Sequence, residues 1–304
     1  MKTFRNMHPY NYDGTVPDNL HELINKRGFD GLSDSEREGS GWAQLVDGER
    51  ILMVDGRVLI KYHHSVREPN RAAALQLANE REKKALEEGR EITKELQDEF
   101  KNQAMNEIIK YSPVKNESVY ILICPDDNLL ITSASSAKKA EDACSYLRRT
   151  IETLPVTPWG DNSHLSAVIT ACLTSQGADS ICNLPENLVI NVYGKTVLTG
   201  DDNSLKIILD GVSNNTPEAR QVIDGMIVRS VEMDLVHRPN NGQLKNLASF
   251  MLHIPARGNV HLKAFDYDDD STDEVEGSGQ RYITEMLLVA KYTKEILNSL
   301  QNIN

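Results

Sequence analysis

Residues 132–159, TSASSAKKAEDACSYLRRTIETLPVTPW, decide how this chain folds. Ala140, Ala143, Cys144, Leu147, Ile151 and Leu154 recur at helical spacing and define one apolar face. Ser135 or Ser136 can cap the start, because a serine hydroxyl accepts from a free amide of the first turn. Pro155 and Pro158 stop the helix. Lys138, Lys139, Arg148 and Arg149 make up its wet side. Just upstream the period changes. SVYILIC (118–124) and NLLITSA (128–134) alternate apolar and polar residues around Pro125-Asp126-Asp127-Asn128, which predicts a hairpin. The stretch therefore predicts a strand–strand–helix unit.

Toward the N-terminus, Phe4 to Tyr12 reads as a strand, and Val16-Pro17-Asp18-Asn19 opens a helix through Leu20, Leu23 and Ile24 that ends near Gly28. Residues 30–40 are polar and read as loop. Trp42, after Gly41, is expected to pack. Residues 50–54 and 57–63 read as strands joined through Asp55-Gly56, a strong hairpin signal. His63 and His64 are adjacent, so in a strand they face opposite sides and cannot share a metal.

Residues 67–111 predict a long helical hairpin. The first helix carries Ala72, Ala73, Ala74, Leu75, Ala78, Ala85 and Leu86, and Gly89 breaks it. Thr93 can cap a second helix with the stripe Ile92, Leu96, Phe100, Ala104 and Ile108. Nine Lys/Arg face ten Asp/Glu in this segment, so it is nearly neutral. Helical charge pairs such as Glu80–Lys84 are expected on its surface.

Beyond Pro158, Asp161-Asn162-Ser163 can cap a helix through Leu165, Val168, Ile169 and Leu173. Strands are predicted over 188–198, with a turn at Tyr193-Gly194, and over 205–209, 226–236, 248–254 and 260–265. Pro217 opens a short helix that Gly225 ends. Residues 266–276 carry seven acids and no base, which reads as an acidic loop without the ligand spacing of an EF-hand. Ile283, Leu287, Ala290, Ile296 and Leu300 mark the buried side of a last helix, 281–300. Helices and strands without strict alternation give an α+β fold with mostly antiparallel sheets. Three parts are expected: a central lobe of 1–66 with 112–160, the helical hairpin of 67–111 as a projecting arm, and a second α+β lobe of 161–304.

The 304 residues carry a net charge of −12, which argues at first against a nucleic-acid partner, although binding depends on where the charge sits. Cys124, Cys144, Cys172 and Cys182 lack zinc-ligand spacing and are expected to be reduced, in a cytoplasmic protein. The N-terminal residues have no signal-peptide core, and no apolar run approaches a membrane span. Walker A, Gly-x-Gly-x-x-Gly, His-Glu-x-x-His and Gly-x-Ser-x-Gly patterns are absent. Asp268-Asp269-Asp270 fans around the chain instead of converging on an ion. The sequence predicts no enzyme, no metal and no cofactor.

Ser-Ala-Lys-Lys-Ala-Glu-Asp, a helix and then Leu-Pro-Val-x-Pro resemble the signature of the bacterial recombination-associated protein RdgC family. The resemblance is dense from Leu129 to Pro158. It extends as an order of elements from Phe4-Arg5-Asn6, through Gly41-Trp42 and the hairpin, to the last helix. It implies a ring-forming homodimer that threads duplex DNA through its hole without sequence preference, and that restrains RecA-promoted recombination. Single-stranded DNA is an open second partner, and the location implied is the cytoplasm and nucleoid. The family's aromatic dimer contact falls on Tyr111, followed by Ser112. Its basic-polar tip pair falls on Val212 and Ser213, so that basic contact is missing here.

A ring can place bases on its inner wall and acids outside, which reconciles DNA binding with an acidic chain. The DNA-contacting residues expected on this reading are Lys138, Lys139, Arg148, Arg149, Lys83, Lys84, Arg90, Lys94 and Lys101. The rival readings are a protein-interaction module and an acidic DNA mimic. Bases lining one concave wall favour DNA; bases alternating with acids in pairs favour the rivals.

Overall fold

The computed structural model describes residues 3–34, 36–174, 184–202, 204–239, 244–267 and 278–303. Its elements run β1 (His8–Tyr12), α1 (Leu20–Lys26), β2 (Glu38–Trp42), β3 (Ile51–Val54), β4 (Arg57–Arg67), α2 (Arg71–Glu87), α3 (Lys94–Ile109), β5 (Val114–Cys124), β6 (Leu129–Thr132), α4 (Ala137–Ile151) and β7 (Val156–Pro158). They continue with α5 (Asn162–Thr174), β8 (Leu188–Ile190), β9 (Thr196–Thr199), β10 (Lys206–Leu209), α6 (Pro217–Ile223), β11 (Ile227–His237), β12 (Lys245–His253), β13 (His261–Tyr267) and α7 (Ser278–Gln301).

Among the described residues the strands form two antiparallel sheets. The first has the order β2-β4-β5-β6-β1-β7, with β3 also beside β4. The second has the order β10-β9-β11-β12-β13, with β8 beside β11. The α+β class is as expected. The β3–β4 hairpin turns at Asp55 and Gly56, both with positive φ (49° and 73°), which is the conformation an Asp-Gly pair supplies most cheaply. Asn128 closes the β5–β6 turn at φ 48°.

The alternation read in SVYILIC does not hold at its end: Ile121 to Cys124 are all apolar and buried, because both faces of β5 are covered there. Val119, Ile121 and Ile123 join α1 and α4 in one core. Leu122 and Cys124 point the other way, into a larger core shared with α5, α7 and the second sheet. Each such Leu or Ile contributes roughly 1.5–3 kcal/mol by burial. The sheets are stitched where Met7 and Leu262 exchange backbone hydrogen bonds of 2.8 and 2.9 Å and the Phe265 amide donates to the Arg5 carbonyl. The buried Glu285 of α7 accepts from the Thr3 amide and hydroxyl and from the Phe4 amide, which holds the first strand's approach in place.

The helices α2 and α3 interrupt a strand pair, since Arg67 of β4 lies directly opposite Val114 of β5. The buried Arg67 closes the base by donating to the carbonyls of Ser33, Glu36 and Ser112. Asn70 and Thr93 cap the two helices. Arg81 reaches Glu107 and Gln103, and Gln97 reaches Glu82. The buried contacts are small: Ala74, Ala78 and Ala85 on α2, Ala104 and Ile109 on α3. Leu96 and Phe100 are half-buried, while Leu75 and Leu86 are exposed. Glu80 accepts from Gln76. The expected Glu80–Lys84 pair does not form among the described contacts.

Other expectations need correction. β2 lies where a loop was predicted. It forms because Gly39 and Gly41 let Phe29 lie against the strand: a Cβ at Gly41 would come within 2.5 Å of the Phe29 Cβ. The helix α4 ends at Ile151, with Glu152 turning at φ 68°, so Leu154 and Pro155 lie beyond it, and Pro158, read as a helix stop, belongs to the edge strand β7 that pairs with β1. Cys124 and Cys144 are free and buried, and burial pushes both thiols up to about 12. Cys172, at the end of α5, is disulfide-bonded, so the expectation of four reduced cysteines fails there. Cys182 and Asp268-Asp269-Asp270 lie outside the described residues, as does most of the acidic run. Among the described residues, no helix is long and apolar enough to cross a membrane.

Candidate nucleic-acid interface

Strand register builds one cleft on the outer part of the first sheet. Ser40 of β2, His64 of β4 and Glu117 of β5 stand in one row, and Trp42, Tyr62 and Val119 stand in the next. Residues directly opposite in an antiparallel sheet point to the same side. α4 lies across this face. Its start is fixed by Ser136, whose hydroxyl accepts from the Lys139 amide at 3.4 Å. Lys138 and Lys139 therefore sit in the first turn, and Arg149 comes round three turns later on the same side.

The resulting cleft measures about 500 Å³ and is lined by Lys138, Lys139, Asp142 and Arg149 of α4, with Glu38, Ser40, Tyr62, His64, Glu117 and Val119 of the sheet. Aromatic rings stiffen its floor. Tyr146 lies 5.1 Å from Tyr62 and 5.3 Å from Trp42, centroid to centroid. The fully buried Trp42 donates through Nε1 to the Thr150 hydroxyl at 3.1 Å, so its role is packing, as expected. The Arg149 guanidinium lies 5.7 Å from the Tyr146 ring centre. Burial raises the Tyr62 hydroxyl above its ordinary range.

Charge in the cleft is mixed. Lys139 Nζ lies 3.0 Å from Glu117 Oε1, and that hydrogen bond holds the Glu117 carboxyl below the usual carboxylate range. His64 Nε2 is 3.7 Å from Glu38. Lys138 and Arg149 have no ion pair among the described residues. His63 faces the other side, as expected, and meets Ser118 at 2.7 Å. Among the described residues, no group of three or more His, Cys, Asp or Glu is arranged to hold a metal ion.

The structure thus brings together Lys138, Lys139 and Arg149. Arg148 is exposed on α4 but does not line the cleft. Lys83, Lys84, Arg90, Lys94 and Lys101 lie on α2, α3 and the turn between them, also outside the cleft. Arg90 pairs with Glu88 and Lys101 with Asp98, both at 3.3 Å. Tyr111 is 86% exposed at the end of α3, while Ser112 beside it is buried. Val212 is exposed, and Ser213 accepts from the Asn215 amide in the loop before α6. Sequence reasoning missed Tyr62, His64, Glu117, Glu38 and Asp142. The alternation Tyr62-x-His64 opposite Glu117-x-Val119 was the available signal, but only the β4–β5 register joins the two halves.

Residues 3–195, more than half of the chain, match the family model described as "Putative exonuclease, RdgC".

The chain belongs to the RdgC family.

Curated RdgC relatives carry the name recombination-associated protein RdgC. The one from Pseudomonas fluorescens (strain Pf0-1) is 32% identical over 92 residues, 30% of each chain. That from Aeromonas hydrophila is 32% identical over 90 residues, again 30% of each. That from Proteus mirabilis (strain HI4320) is 24% identical over 182 residues, 58% of this chain and 60% of the relative. The chain thus spans about a third to three-fifths of these RdgC relatives. The RdgC model takes in the whole cleft, from Glu38 to Arg149.

Proposed function

We propose that this RdgC-family chain binds duplex DNA without sequence preference, as a homodimer that encircles the duplex, and that it modulates RecA-dependent recombination without catalysing a reaction. The observation that carries the proposal is the convergence of Lys138 and Lys139, in the first turn of α4, and Arg149, in its last turn, on one cleft above an aromatic floor. Phosphates met there would position the protein, and no base-reading motif is present. The arm cations Lys83, Lys84, Arg90, Lys94 and Lys101, with Arg148, would add contacts along the backbone. Tyr111, Val212 and Ser213 are the proposed dimer contacts; the exposure of Tyr111 and Val212 supports that role. The relatives' shared name supports the link to recombination.

A second reading, a protein-interaction surface, is favoured by the pairing of Lys139 with Glu117, Arg90 with Glu88 and Lys101 with Asp98. Competition between two unrelated duplexes of equal length at equal salt separates the readings. Equal displacement supports the proposal. A strong preference for one sequence, or no binding of either, refutes it.

A further inference from the structure

Three histidines far apart in sequence meet at the seam between the sheets. His8 of β1 stacks on His261 of β13, with centroids 4.4 Å apart and planes 19° apart, and His253 of β12 meets His261 edge-on at 4.6 Å. His253 and His261 are opposed across the β12–β13 ladder. His8 and His261 adjoin Met7 and Leu262, whose backbone hydrogen bonds join the sheets.

The cluster is built for neutral rings. His8 is fully buried, and neither of its ring nitrogens has a hydrogen-bond partner among the described residues. Its cross-strand neighbour Thr132 also has a buried hydroxyl without one. The Asn259 carbonyl accepts from His261 Nδ1 at 3.0 Å, which fixes that ring's tautomer. The charges acting on the three rings are all positive: Lys263 on β13, Lys206 on β10 and the other histidines. On the α4 side, Glu141 and Cys144 act on Tyr10, two residues along β1.

We propose that His8, His253 and His261 form a proton-operated latch between the two sheets, closed while the rings are neutral and released when they are protonated. A proton on His8 would have no carboxylate beside it among the described residues, and the stacked faces would then bring like charges together. Burial, first, and the neighbouring cations hold His8 down to about 3 and His253 down to about 4 in the closed state. A group with a depressed folded pKa that binds its proton on opening makes the closed state weaker as pH falls. This stabilisation is complete above about 6.5 and is lost progressively below it. Each ring that recovers its ordinary value on opening raises the open population about tenfold between pH ~7.5 and ~5.5. The face-to-face stack turns the nitrogens away from a common point, in keeping with the lack of a metal-holding group among the described residues.

Hydrogen exchange on the full chain tests this, with rates corrected for the intrinsic pH dependence. Protection of the Met7, Leu262 and Phe265 amides should fall at least about tenfold from pH ~7.5 to ~5.5, relative to Leu59 and Leu122 in the centre of the first sheet. His8→Phe, which keeps a stacking ring without a titrating nitrogen, should remove much of that fall. A parallel change at seam and centre, or an undiminished fall in His8→Phe, overturns the proposal. Should His8→Phe fail to fold, ring titration of the native chain decides. His8 titrating well below the ordinary range supports the latch, and a value near 6.5 overturns it. Stoichiometric shifts of the three rings on adding Zn²⁺ at pH ~7.5 would assign the cluster to a metal and also overturn it.

Discussion

Replacing Glu117 by Gln should tighten duplex binding. The carboxylate lies 3.0 Å from Lys139 Nζ on the cleft wall, and the hydrogen bond from Lys139 holds its carboxyl below the usual carboxylate range, so it is ionised at neutral pH. The pair is partly exposed, with 39% of the lysine and 32% of the glutamate side chain accessible, so its loss should cost no more than about 1 kcal/mol. A phosphate entering the cleft now meets a negative charge beside the cation meant for it. At a separation of about 5 Å in water-like surroundings that repulsion is about 0.8 kcal/mol, or roughly fourfold in affinity, and more where solvent is partly excluded. Freeing Lys139 should also steepen the log–log salt dependence by up to ~0.9. Fluorescence anisotropy with a labelled duplex at several salt concentrations reads both quantities, with Glu22→Gln on exposed α1 as a control for net charge. An equal gain in the control, or weaker binding by Glu117→Gln in a folded protein, refutes the placement of phosphate in this cleft.

Changing Trp42 to Phe removes the hydrogen bond to Thr150 and loosens the Tyr62–Tyr146 floor; chemical denaturation should show a loss of roughly 1–3 kcal/mol, with weaker duplex binding. Phe100→Ala should lower stability by roughly 1–2 kcal/mol, less than for a fully buried ring, because Phe100 is half-buried on α3; a lost dimer at unchanged stability, seen by sedimentation, would place Phe100 in an interface instead. Glu285→Ala should leave the Thr3 and Phe4 amides without their acceptor. Their exchange should rise sharply, with global stability lower by about 1.5–3 kcal/mol.

Local chemistry carried much of the fold. Asp55-Gly56 predicts its hairpin because both residues reach positive φ at little cost, and α4 is readable from its serine cap, its apolar stripe and the proline after it. β2 was not readable, since Glu38-Gly39-Ser40-Gly41 has no β-branched residue and becomes a strand only by pairing with β4 under Phe29. In α2 the sequence shows alanines and leucines alike, and only the structure separates them: Leu75 and Leu86 are exposed, while Ala74, Ala78 and Ala85 are the residues α2 buries. The cleft was half legible. Lys138, Lys139 and Arg149 follow from helical spacing, whereas Glu38, Tyr62, His64 and Glu117 reach them only through the register of three strands. The stack of His8, His253 and His261 has no local signal at all, because its members are joined only by the meeting of two sheets.

The central claim is that cations of α4 meet DNA phosphates, and the salt dependence of duplex affinity tests it most directly. If Lys138 and Arg149 each neutralise one phosphate and Lys139, paired with Glu117, does so only in part, the slope of log affinity against log salt should be about −1.8 or steeper, and the Lys138→Ala, Lys139→Ala double variant should lose up to ~2 units of it. Its stability should change little, because relief of two cations at the positive end of the helix dipole, about 0.3–1 kcal/mol each, offsets the lost Lys139–Glu117 pair. A native slope near zero, or an unchanged slope in the folded double variant, would contradict the account.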